Sequence, residues 1–121
     1  MSHLMVTEAR IKDLEALRLA CVANETELET GDVRGQIYQT AERGVAMFTP
    51  HGWRFPVVVR ADGALAYDNF QGTWGDAVYL DRILRDYDCE ALLSGLAQQG
   101  WSLTSRHQNE NGEVILEVCA A

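Results

Sequence analysis

A chain of 121 residues sits near the usual size of one compact domain, roughly 100–150 residues, and is long enough to bury a single core. Apolar residues make up 47% and charged residues 23%, the balance of a globular chain and not of a disordered one. Eighteen acidic against ten basic residues leave a net charge of −8, with no clustered Lys and Arg to neutralise phosphates, so no nucleic-acid partner is expected.

No apolar run approaches the ~20 residues that cross a bilayer, and residues 1–10 alternate where a leader would be basic and then apolar. A cytoplasmic protein with no membrane partner is the expectation. Cys21, Cys89 and Cys119 are widely spaced and include no CxxC pair, which speaks against a disulfide framework and against structural zinc. All three are expected to be reduced, with Cys21 and Cys119 as small core residues.

In chain order, residues 3–9 alternate, Leu4 and Val6 on one face and Met5 and Thr7 on the other, and predict a strand. Ile11, Leu14, Leu17 and Cys21 then recur at helical spacing, with Lys12, Glu15 and Arg18 on the outer face and Asp13 at the positive end, so residues 11–23 predict a helix. Residues 26–30 form a short strand-compatible piece, Gly31-Asp32 and Gly35 punctuate a loop, and residues 36–42 predict another strand. Firmer strands follow at 45–49, 55–60 and 64–70. They are separated by Pro50-His51-Gly52 and by Asp62-Gly63, a two-residue hairpin signal. Pro56 lacks a backbone donor, which assigns its strand to an edge or to a bulge.

Residues 78–99 predict the long helix. Leu80, Ile83, Leu84, Tyr87 and Ala91 form its apolar stripe, and Leu92, Leu93 and Leu96 extend it, slightly rotated. Asp76 is the N-cap and Gly100 the glycine past the end, while a break at Asp88 stays open. Residues 101–108 and 114–119 form a last hairpin across Asn109-Glu110-Asn111-Gly112. The order β-α-β(β)βββ-α-β-β predicts an α+β fold in one domain spanning 1–121. Its antiparallel sheet has about five to seven strands, with both helices on one face.

Chemical motifs are sparse. His3, His51 and His107 lie in different elements with no HxH or HExxH spacing, so no metal is expected. There is no GxSxG, and Ser94-Gly95 falls inside a helix. Cys89 stands among Arg82, Arg85, Asp86 and Asp88, whose effects on a thiolate oppose one another, and it reads as an inert thiol. Gly31, Gly35, Gly72 and Gly75 make neither GxGxxG nor a GK[ST] ending, and Asp76 as N-cap occupies the backbone donors that an anion would use. The carboxylate pairs Asp68 with Asp76 and Asp81 with Glu90 carry no fixed separation. No cofactor is expected.

Special-purpose residues concentrate in 67–76, with three aromatics, two glycines and two aspartates. Tyr67, Phe70 and Trp74 either seal the sheet-to-helix corner or, partly exposed, anchor a partner. The candidate binding residues are Arg34, Tyr38, Asp68, Phe70, Trp74 and Asp76. The first expectation is a non-enzymatic accessory or adaptor protein that binds another protein or itself. The alternatives are a small-molecule-binding regulator or small enzyme with a pocket around Arg34, Tyr38, Asp68 and Trp74, and a structural subunit of a larger assembly.

The chain also resembles a family of cyanobacteria and plastids, the "hypothetical chloroplast reading frame thirty-five" proteins, a domain of unknown function. The similarity runs through Met1-Ser2-His3-Leu4, Ile11-Lys12-Asp13-Leu14-Glu15-Ala16-Leu17, Arg34-Gly35, Asp68 to Trp74-Gly75, Tyr87 and Gly100, in that order. Thr49-Pro50-His51-Gly52-Trp53, and Gly72-Thr73 ahead of Trp74, depart from the pattern. The resemblance implies a fold, a cytosolic or stromal setting and an accessory role beside an AAA-type ATPase, but no reaction.

Overall fold

Asp13 begins the first helix. Its carboxylate accepts a hydrogen bond from the Ala16 backbone N–H, filling a donor that a helix leaves open at its start, and α1 runs over Leu14–Ala23. The structure is a computed structural model and describes residues 4–120. Past the last turn, the Thr26 N–H reaches the Cys21 carbonyl at 2.8 Å and the Glu25 N–H reaches the Val22 carbonyl at 3.1 Å. That double closure needs a left-handed residue, usually glycine, and here Glu25 adopts it with φ 52°. The buried face is Ala16, Leu17, Ala20 and Cys21. Leu14, expected in the stripe, is 39% exposed, and Ile11 is buried ahead of the helix. Alanines on the inner face let α1 lie close to its neighbours.

Five strands form an antiparallel sheet: β1 Met5–Val6, β2 Leu28–Ile37, β3 Thr40–Phe48, β4 Val57–Val59 and β5 Leu65–Tyr67, in the order β1-β5-β4-β3-β2. The long helix α2 spans Ala77–Gln98, and β6 Trp101–Gln108 with β7 Val114–Ala120 make a separate two-stranded sheet. The α+β class and the element order agree with the sequence. The final hairpin does not join the main sheet.

Several local expectations change. The first strand shrinks from 3–9 to two residues, and His3 lies outside the described residues. Gly31-Asp32 and Gly35 do not mark a loop. Gly31-Asp32 form a bulge within β2, between Thr30 and Val33, and Gly35 lies in the strand, where a Cβ would meet Val58 Cγ2 at 2.6 Å. The turn falls instead at Tyr38-Gln39, inside the strand expected over 36–42, because Ile37 pairs with Thr40. Asp62-Gly63 belongs to a three-residue connection closed by Arg60 N–H to the Ala64 carbonyl at 2.8 Å, with Gly63 at φ 92°. β4 is central, not an edge. Pro56 is accommodated because it precedes the first paired residue, Val57, and forfeits no ladder bond.

One sheet face presents Ala46, Phe48, Val57, Val59 and Leu65 to Leu17 and Cys21 of α1 and to Leu80, Ile83, Leu84 and Tyr87 of α2. The Tyr87 hydroxyl accepts from the Lys12 and Asp13 N–H groups, tying the two helices together at the start of α1. On the opposite face Ile37 and Met47 cover Val58 and Ala66, as the β2–β3 hairpin curls over β4. α2 is capped by Asp76 through the Val78 N–H at 3.0 Å and passes Asp88 without a break. Every buried residue among those described lies between Ile11 and Tyr87. Leu92, expected to extend the apolar stripe, is 55% exposed, and Cys119, expected in the core, is exposed.

Burial pushes the Cys21 thiol up to about 11, while the Cys89 thiol is raised by burial, opposed by Arg106 and reinforced by Asp86, Asp88 and Glu90. The cation that acts on Cys89 thus comes from β6. Alkylation of the native protein at mildly alkaline pH should modify Cys119 first, Cys89 more slowly and Cys21 only on unfolding, as read by mass spectrometry. Because Glu25 holds a left-handed conformation, Glu25→Gly should raise the free energy of urea unfolding by about 0.5–1 kcal/mol. A loss of stability would mean that this helix end is closed differently.

Candidate interaction site at the aromatic corner

Chain segments far apart in sequence bring four aromatic rings to one end of the sheet. Tyr38 comes from the β2–β3 turn, Phe55 from the approach to β4, Phe70 from a 3-10 turn over Phe70–Gly72, and Trp74 from the entry to α2. Trp74 is the hub. Its ring stacks on Phe70 at 4.8 Å and 25°, lies 4.9 Å from Tyr38, and meets Phe55 edge-on at 5.2 Å. The Arg54 guanidinium sits 5.5 Å from the Phe55 centroid and 5.7 Å from that of Trp74. Each ring pair contributes about 0.5–1.5 kcal/mol beyond its area, and an exposed cation–π contact about 0.5–1 kcal/mol. The cluster is nonetheless a surface feature, for Tyr38 is 45% exposed and the other three rings are half-buried.

The backbone beneath the rings is tightly tied. The Asn69 carbonyl accepts from the Gly72 N–H at 3.1 Å and the Trp74 N–H at 2.9 Å, and its Nδ2 donates to the Gly75 carbonyl at 3.2 Å. The Arg54 N–H donates to the Trp74 carbonyl at 2.8 Å. Behind this loop Trp53 is buried, its Nε1 donating to the Asp76 carbonyl at 2.9 Å and its ring lying against Gly75 and 5.7 Å from Tyr67. Neighbouring tryptophans, 53 and 74, thus face inward and outward.

Backbone strain gathers here. Tyr38, Phe70 and Gln71 have φ of 52°, 47° and 53°, three of the four non-glycine residues with positive φ among those described. Such conformations cost about 1–3 kcal/mol each and persist only where the surroundings enforce them, as they do at ligand clamps and binding surfaces. At Tyr38 the tight hairpin turn demands a left-handed residue at its first position, where glycine or asparagine is usual. A tyrosine there places its ring on Trp74.

Three of the sequence candidates, Tyr38, Phe70 and Trp74, therefore meet at one site. Asp68 and Asp76 stand below it with structural tasks. Asp68 is 5% exposed and accepts from the Phe70 N–H at 2.9 Å, while Asp76 caps α2. Arg34 is exposed on β2, four residues and about 13 Å of strand from Tyr38. It stands near Asp32, whose carboxyl is held below its usual range by the hydrogen-bonded Arg43 first and by Arg34 least. The sequence reading missed Phe55 and Arg54. The run Trp53-Arg54-Phe55, alternating ring and cation next to Pro56, carried that signal.

The cleft nearest Asp68 has a volume of about 250 Å³ and is lined by Met5, Tyr67, Asp68, Asn69 and Gln71, so it gathers none of Arg34, Tyr38 or Trp74. A larger opening of about 630 Å³ lies between the start of β2 and the end of β3, with Glu25, Glu27 and Glu29 along it. Among the described residues no three His, Cys, Asp or Glu side chains are placed to hold a metal ion. Comparison with family models, with curated proteins and with solved structures gives no match, so the geometry alone carries the functional reading.

Gly75 is the sharpest test of this architecture, since an added Cβ would stand 2.5 Å from atoms of the Trp53 ring. Gly75→Ala should lower stability by about 1–3 kcal/mol through overpacking. Gly95→Ala, in the interior of α2 with nothing within 4 Å of the added carbon, should raise it by up to about 1 kcal/mol. Paired urea titrations check both signs.

Proposed function

We propose that the protein is a non-enzymatic adaptor that binds another protein through the corner formed by Tyr38, Phe55, Phe70 and Trp74 with Arg54. The observation that carries this reading is a stack of half-exposed rings held by a strained, hydrogen-bonded backbone. Tryptophan, tyrosine and arginine dominate binding hot spots because they combine large apolar area with few rotors and a polar handle. Rings fixed in advance lose little entropy on docking, so most of their contact area becomes affinity. The acidic balance of the chain adds a preference for partners with basic rims.

Affinity capture from the native host, repeated with Trp74→Ala and Tyr38→Ala, tests the reading. A stoichiometric protein should be recovered with the wild-type chain and lost by more than about tenfold with either variant, while circular dichroism shows both folded. Tyr38→Ala guards against simple destabilisation, since that ring lies at an exposed turn. A partner retained by both folded variants would overturn the assignment of the corner. A chain recovered alone, whose melting midpoint rises with a metabolite or nucleotide, would replace the adaptor by a ligand-binding protein. A large homogeneous particle would replace it by a structural subunit.

A further inference from the structure

The C-terminal quarter of the chain is folded without a core of its own. From Asp88 to Ala120 no residue is buried, although this stretch includes Leu92, Leu93, Leu96, Trp101, Leu103 and the alternating β7. The register of the hairpin sorts its residues into two faces. Trp101 opposes Ala120, Leu103 opposes Val118, Arg106 opposes Leu116 and Gln108 opposes Val114, so these share one largely apolar face. That face turns toward α2, where Arg106 meets Glu90 at 2.7 Å, but the helix covers it incompletely and Trp101 and Leu103 remain 41% and 43% exposed. A two-stranded sheet is marginal in water unless its apolar face is covered.

The outer edge of β7 is open as well. No strand among the described residues pairs with it, and its sequence, Val114-Ile115-Leu116-Glu117-Val118-Cys119-Ala120, has one charge, no proline and no bulge, since the bulge at Thr104 lies in β6. The other long edges are guarded, β2 by a bulge and by Glu29, Asp32 and Arg34, and β6 by the bulge at Thr104 and by Arg106. An unguarded apolar edge is a template for a further strand.

Charge decides between occupants. Residues 86–120 contain six acidic residues and one basic residue, Arg106, a net charge of −5. Glu117 is the middle residue of β7, so symmetric antiparallel pairing with a second copy would set Glu117 against Glu117 and bring two acidic surfaces together. We infer that the β7 edge receives an extended segment of another protein, apolar beside Leu116 and Val118 and with lysine or arginine opposite Glu117. The added strand makes a three-stranded sheet, places apolar side chains beside Leu116 and Val118 on the face turned toward α2, and neutralises the acidic rim. This surface is separate from the aromatic corner, and either assignment can fail without the other.

Two labelled synthetic strand peptides serve as probes, alike in their apolar positions but carrying Lys in one and Glu in the other at the central and terminal positions. Fluorescence anisotropy at low salt should show the Lys peptide binding at least about tenfold more tightly, with affinity falling as salt is raised. Glu117→Lys, a change at an exposed position, should reverse the preference. Leu116→Asn should weaken the Lys peptide about tenfold, and Trp74→Ala should leave it unchanged. Equal binding of the two peptides, no binding of the Lys peptide, or an unaltered preference in Glu117→Lys would overturn the inference. So would sedimentation showing a dimer at micromolar concentration that Leu116→Asn dissolves, because the edge would then belong to a second copy.

Discussion

The contact between the Trp53 indole and Gly75 joins the core of this protein to its surface. The ring is buried among core residues, its Nε1 is satisfied by the Asp76 carbonyl, and the missing side chain at position 75 lets the loop lie against it. Two consequences follow from that one approach. Asp76 is held where its carboxylate caps α2, so the helix that supplies Leu80, Ile83, Leu84 and Tyr87 to the core starts in register. Trp74, one residue earlier, is turned to the opposite side of the loop and becomes the hub of the exposed rings. Core stability and surface presentation thus share one short segment.

Much of the fold was legible where periodicity is strong. The long helix appears within a residue of its expected ends because a 3.6-residue stripe, an Asp cap and a Gly past the end all agree. The last hairpin was equally clear from alternation around an Asn- and Gly-rich turn. The β2–β3 hairpin was not, and glycine is the reason. Gly31 and Gly35 suggest a loop by composition, yet a bulge uses the first, and the second, like Gly44, leaves room for β2 and β3 to curl onto Val58 and Val59. Such close approach depends on strands distant in sequence. The actual turn, Tyr38-Gln39, contains no turn residue, and local chemistry could not reveal it. In the candidate site, Phe70 and Trp74 stood out as neighbours in a dense stretch, whereas Trp53-Arg54-Phe55 was a second aromatic run whose meeting with the first depends on the fold.

The two helices differ in what they bury, and that difference organises the surface. α1 uses small residues and sits close to its neighbours, leaving Leu14, Leu19 and Val22 exposed. α2 buries its first half under the sheet and carries its second half beyond it, toward a hairpin that cannot enclose the remaining leucines. An exposed isolated leucine is ordinary in a folded protein. A helix end and a hairpin that together lack a buried residue are a different matter, because ordering them costs conformational entropy that no enclosed core offsets.

α2 also sets the distance between the two candidate surfaces. It begins at the aromatic corner and ends two residues before Gly100, which leads into the hairpin, and its 22 residues rise about 33 Å. Partners docked at the two ends would be held apart by a continuous helix whose first half is clamped in the core. The corner offers pre-ordered rings with an arginine beside them, and the far end offers an open strand edge in an acidic field. Under the two proposals one end selects shape and the other selects charge, so one partner occupies its surface without competing with the other. A rigid spacer with chemically distinct ends is what the proposed adaptor role requires, and α2, which completes the core, is a continuous helix of that length.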